Sequence, residues 1–128
     1  MKRKAVILDK SSHGTVVICV DLGCASEILP YVFEVKAAEE FGQIRELLKT
    51  NTRNKEKYCN CSESASNMYE MRFTRFGRND RIYCQEVHKS SIRYVIMCEL
   101  FVGKKSNDIP KKFKGRITTM GDYEFEIV

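Results

Sequence analysis

MYEMRFTRF at 68–76, RIYCQEV at 81–87 and IRYVIMCELFV at 92–102 are three strand-like runs in succession. Tyr69, Met71, Phe73 and Arg75 alternate with Glu70, Arg72, Thr74 and Phe76, so the first run has two distinct faces. Arg93, Val95, Met97 and Glu99 alternate with Tyr94, Ile96, Cys98 and Leu100 in the third. GRND and HKSS are the separators, and both read as tight turns. Connections this short force neighbouring strands to run antiparallel. The stretch is therefore expected to be a three-stranded meander.

Upstream, KAAEEFGQIRELLKTN carries the clearest helical period. Ala37, Phe41, Ile44, Leu47 and Leu48 make one apolar stripe, with Glu39 and Glu40 early and Lys49 late, as the helix dipole favours. KAVILD and GTVVICVDL read as an N-terminal hairpin whose turn uses Ser11, Ser12 and Gly14. CASEILP reads as a short helical turn ended by Pro30, and YVFEV as a strand leading onward. TNTRNKEKYCNCSESASN has no clear period and reads as a partly helical end running into a loop. Downstream, Asp108 and Pro110 are suited to start a helix over KKFKGRITTM, and DYEFEIV alternates as a strand or an extended tail. The expected class is α+β: an antiparallel sheet, made of the meander plus N-terminal strands, packed against one or two helices. A chain of 128 residues is most simply one domain, 1–128, with 1–30 an added hairpin on a core of 31–123.

Charge is uneven along the chain. Arg72 to Arg116 holds twelve Lys or Arg against four Asp or Glu, a net of +8, whereas the whole chain is +5. Residues 1–71 balance ten against ten, and 117–128 carry −3. A positive sheet with a basic segment beside it suits a polyanion, RNA first among them. No apolar run approaches the ~20 residues that span a bilayer, and AVIL is too short for a signal-peptide core, so a cytoplasmic protein with no membrane partner is expected. Of six cysteines, four fall in apolar or strand-like runs and read as reduced core thiols. Cys59 and Cys61 are closely spaced, but no second pair or nearby His completes a zinc set, and no metal or other cofactor is expected.

The order helix, loop, meander, basic connector and final helix resembles the RelE/ParE superfamily of bacterial toxins. Met68-Tyr69-Glu70-Met71-Arg72-Phe73 is similar to that family's hydrophobic-x-E-L-R strand. Arg81-Ile82-Tyr83 is similar to its central Arg-bearing strand. Leu100 to Ser106 with Pro110 is similar to its F-x-K-K segment. The resemblance covers roughly residues 32–123. It implies a RelE-like fold and a toxin that cleaves messenger RNA, often on the ribosome, held in check by a cognate antitoxin. The ParE branch of the same scaffold acts instead on DNA gyrase, and a scaffold does not fix function. A general RNA-binding domain is a third reading.

RNA cleavage without metal needs the 2′-hydroxyl to attack the adjacent phosphorus, with a group to take its proton, cations on the phosphoryl oxygens and a proton for the departing 5′-oxygen. Arg81 matches a family position tied to phosphate contact; on its own it reads equally as a strand-end charge. Lys104 and Lys105 follow the last strand and read as catalytic cations or a solvated loop pair. His88 has the titration range for acid–base work, and Tyr123 falls where family members often carry a C-terminal Tyr. These five form the candidate catalytic set. Arg72, Arg75, Arg78, Lys111, Lys112 and Lys114 are the candidate RNA contacts, mainly to phosphate. Tyr83 and Tyr94 read as core or cross-strand residues. An acidic or apolar antitoxin segment would cover the same positive face.

Overall fold

The computed structural model describes residues 2–61, 65–103 and 111–128, with 111–113 as backbone only. Strand β1 (Arg3–Lys10) and strand β2 (Val16–Asp21) form the expected hairpin. Its turn is built as the residues predict: the Ser11 hydroxyl accepts from the amides of Thr15 (3.1 Å) and Val16 (3.0 Å), and Gly14 takes φ +70°.

Helix α1 (Ala25–Val32) and helix α2 (Val35–Lys49) follow. YVFEV is thus not a strand. Tyr31 and Val32 close α1, and Val35 opens α2, whose Glu34 cap accepts from the Lys36 amide at 3.2 Å. Pro30 lies inside α1 and does not end it. A proline costs the bond to the carbonyl four residues back, here Ser26, which is exposed so that water replaces it. Burial of Ile28 and Val32, one turn apart, outweighs that loss.

The segment read as loop contains a short strand, β3 (Tyr58–Asn60), before β4 (Met68–Phe73). The link from β4 to β5 (Asp80–Lys89) is wider than a tight GRND turn. It includes a 3₁₀ turn at Arg75–Gly77, and Asp80 is already paired with Phe73. Buried Glu40 of α2 holds this link by accepting from the amides of Thr74 (3.0 Å) and Arg75 (3.4 Å). The next link is tight. Ser90 and Ser91 alone join β5 to β6 (Ile92–Phe101), both at positive φ, so His88 lies in the strand and not in the turn. Helix α3 (Lys111–Gly121) and strand β7 (Phe125–Ile127) complete the chain.

One seven-stranded sheet results, in the order β3-β4-β5-β6-β2-β1-β7. The meander pairs antiparallel as expected, but the sheet is mixed, because β2 runs parallel to β6 and β1 parallel to β7. The chain from β2 to its parallel neighbour β6 runs through α1, α2 and strands β3 to β5, well beyond the length that a parallel pair requires. That pairing sets the hairpin inside the sheet. Every residue of β2 is buried, as fits an interior strand with a hydrophobic cluster on each face.

Val16, Ile18, Met71, Phe73, Ile82, Val95 and Met97 face α1 and α2, where Ile28, Val32, Phe41, Ile44 and Leu48 cover them. Ala5, Val17, Cys19, Met68, Tyr83 and Ile96 face the other way, against Ile117 and Met120 of α3. None of the described helices is long and apolar enough to cross a membrane.

Candidate nucleic-acid interface

The β4–β5 register sets Arg72 directly opposite Arg81. Like charges facing each other across a ladder repel, and the neighbouring Glu70 compensates. Glu70 Oε1 accepts from Arg72 Nε at 2.9 Å and lies 3.6 Å from Arg81 Nε. The two arginines differ in access. The Arg72 side chain is 23% exposed, that of Arg81 only 1%. Burial lowers the Arg81 pKa, and the Glu70 carboxylate opposes that shift. Tyr83 is buried on the same face, and burial followed by Glu70 raises its hydroxyl. Cys59 Sγ lies 3.6 Å from Glu70 Oε1, and burial raises its thiol as well.

Phe101 pairs with Arg81 on the other side. Gly103, at φ +74°, donates its amide to Asp80 Oδ1 at 2.8 Å, while Tyr31 donates its hydroxyl to Asp80 Oδ2 at 2.6 Å. The chain leaving β6 is therefore pinned beside the arginine pair just before Lys104 and Lys105. Those two lysines lie outside the described residues.

Other predicted contacts are engaged elsewhere. Arg75 pairs with Glu39 at 2.9 Å; Arg78 lies 3.6 Å from Glu34 and donates to the Lys36 carbonyl at 2.9 Å, which turns both toward the start of α2. Lys114 is exposed on α3, near Arg116, which pairs with Glu99. The side chains of Lys111 and Lys112 lie outside the described residues.

His88 stands seven residues along β5 from Arg81, roughly 23 Å at the rise of a strand. One phosphate cannot touch both. His88 is 70% exposed, 3.7 Å from Glu86 Oε1. With Tyr123 it lines a cleft of about 540 Å³ on the α3 side that also includes Lys2, Gln85 and Lys89, and it also lines a cleft on the opposite face. Tyr123 itself lies under the Arg3 guanidinium, 4.4 Å from ring centre to Cζ, and edge-on to Phe125. Of the described members of the predicted catalytic set, His88 is thus set apart from Arg81 along β5, and Tyr123 also lines a cleft with Glu99 and Arg116.

A second cleft, about 560 Å³, opens on the opposite face where α2 stops short of the sheet's edge. Tyr69 is on the face of Met71 and Phe73, but beyond the last turn of α2 no helix among the described residues covers it. Its ring stacks on Tyr58, centroids 5.2 Å apart and planes within 3°. Tyr58 donates to Glu86 Oε2 at 2.5 Å, and Arg93 forks onto the same carboxylate at 2.6 Å and 3.1 Å. Burial, then the neighbouring Cys84 and Glu86, pushes the Tyr58 hydroxyl well up, so it stays a donor. Sequence reasoning missed this cleft because Tyr58 lies in the segment read as loop. The one local signal was Tyr69 in phase with Met71.

Folding also redistributes the charge. Arg72, Arg75, Arg78, Arg81, Arg93 and Arg116 each meet a carboxylate, and Glu34, Glu39 and Glu70 come from outside the basic window. The net of +8 counted along the chain overstates the field at the arginine end. No family model, no curated protein and no solved structure matches this chain.

Proposed function

We propose that this chain is a RelE-like toxin that cuts messenger RNA on translating ribosomes and is neutralised in the cytoplasm by a cognate antitoxin. The observation that carries the reading is the cross-strand pair Arg72–Arg81, tied by Glu70, beside the pinned exit of β6 toward Lys104 and Lys105. The order of helix, meander, connector and final helix supports it.

In this reading the nucleophile is the substrate's own 2′-hydroxyl, which loses its proton to solvent as its oxygen bonds to phosphorus, while the bond from phosphorus to the 5′-oxygen breaks and that oxygen takes up a proton. Arg72, partly exposed, keeps its Nε and Nη2 on Glu70 and turns the remaining guanidinium N–H groups to the phosphoryl oxygens. Arg81 lies beneath and acts as a positioning residue, holding Glu70 and through it the Arg72 guanidinium. Lys104 and Lys105 supply charge to the developing oxyanion and the departing 5′-oxygen. His88, at the far end of β5, and Tyr123 serve RNA contact.

Purified protein added to translating ribosomes is expected to cut messenger. Arg72→Ala should lower the rate about 10²-fold, the usual cost of one lost oxyanion donor, with the melting temperature preserved. Intact messenger alongside blocked growth would sink the nuclease reading. That outcome favours a ParE-like toxin acting on gyrase. The observation in favour of this second reading is the carboxylate pairing of the arginines together with the distance of His88 from them. Inhibited supercoiling without RNA cleavage would establish it. Binding of RNA with neither effect would leave a general RNA-binding domain.

A further inference from the structure

We propose that the cleft beyond the C-terminal end of α2 holds an unpaired base of single-stranded RNA, stacked on Tyr69. It deepens the RNA reading given above and rests on it for the choice of polyanion.

The platform is fixed before any ligand arrives. Tyr58 is held by its bond to Glu86, and Arg93 braces the same carboxylate while its Cζ lies 5.9 Å from the Tyr58 ring centre. Tyr69 stacks parallel on Tyr58 and is half-buried at the cleft. A rigid, partly exposed aromatic face is what an unstacked base needs, whatever its identity. The volume of about 560 Å³ falls in the range of small-ligand sites, about 300–1,000 Å³.

Electrostatics identify the rest of the ligand. Both Glu86 oxygens are engaged, and Arg93 balances the charge, so the floor is neutral. The rim is not. Arg53 and Lys55 line the cleft and are exposed, and among the described residues neither forms an ion pair. This is the reverse of the arginine end, where each guanidinium already has a carboxylate. An aromatic shelf with uncompensated cations at its lip matches a base with its flanking phosphates.

Fluorescence anisotropy with a short labelled single-stranded oligoribonucleotide tests the proposal. Tyr69→Ala should weaken binding about tenfold or more, and Tyr69→Trp should restore it. The same probe made abasic should not distinguish Tyr69→Ala from wild type. Arg53→Gln with Lys55→Gln should flatten the salt dependence by about 1.4 in log–log slope, at about 0.7 per phosphate contact on a single strand. Melting temperatures of all variants provide the control for folding. If folded Tyr69→Ala and the Arg53/Lys55 variant bind like wild type, the proposal is overturned. Cleft variants that bind like wild type while wild-type protein cuts messenger would sink this inference alone. Cleft-dependent binding without cleavage would uphold it and sink the nuclease.

Discussion

Glu40 shows how one residue fastens two elements. Its side chain is fully buried, yet it accepts from Lys57 Nζ at 2.6 Å and from two amides of the β4–β5 link. Burial by itself raises the carboxyl; the Lys57 ammonium and the Thr74 and Arg75 amides outweigh it and hold the pKa below its ordinary value of 4.5. A depressed carboxylate adds stability that is complete above the unfolded-state value and is lost as pH falls through the folded one. Resistance to urea unfolding should therefore fall from roughly pH 5 downward. Glu40→Gln should cost about 2–3 kcal/mol at neutral pH, as for a lost charged hydrogen-bond acceptor, and its stability should vary less across that acid range. Parallel acid limbs for the two proteins would refute this role. The sequence placed Glu40 in the helix's early turns, where it suits the dipole, without a sign of its burial. Its burial depends on where β4 ends, which helical period alone does not encode.

At the scale of elements, strong periodicity was legible and short or irregular pieces were not. Ala37, Phe41, Ile44 and Leu48 of the α2 stripe are buried as read, while Leu47 is half-exposed at the cleft; the alternation of β4 and β6 holds, since each face meets a core. Strand β3 has three residues, too few for a period, and exists because β4 offers it a ladder at Tyr69–Met71. α1 reads past its proline because tertiary burial overrides a local breaker. The β5–β6 turn is a further case. Two serines bear φ of 52° and 64°, a backbone that favours Asn-Gly over serine. Register here is set by the paired strands, Lys89 opposite Ile92, rather than by turn chemistry. Replacing the pair, Ser90→Asn with Ser91→Gly, should add about 1 kcal/mol by removing left-handed strain. Unchanged or lower stability in thermal melts would mean the serines contribute something else at the tip.

Across the whole molecule, sequence distance misled twice, for one reason. A charge window sees neighbours along the chain, and the carboxylates that meet its arginines include Glu34, Glu39 and Glu70 from before it. Likewise the first thirty residues look like an addition because they precede the recognisable meander, whereas β2 lies between β6 and β1 in the sheet's interior. All six β2 residues are buried, and Val16, Ile18 and Val20 serve one core while Val17 and Cys19 serve the other. β1 in turn carries β7, so the two ends of the chain share an edge. Removing the hairpin would expose the β6 edge, strip a strand's width from both cores and leave β7 unpaired. Losses of that kind exceed the roughly 5–15 kcal/mol that holds a domain folded. A chain lacking residues 1–23 should therefore show no cooperative thermal transition, with near-ultraviolet circular dichroism lost, and should aggregate through the uncovered strand. A truncated protein that melts sharply near the full-length temperature would show instead that the meander and its helices stand alone, with the hairpin a true appendage.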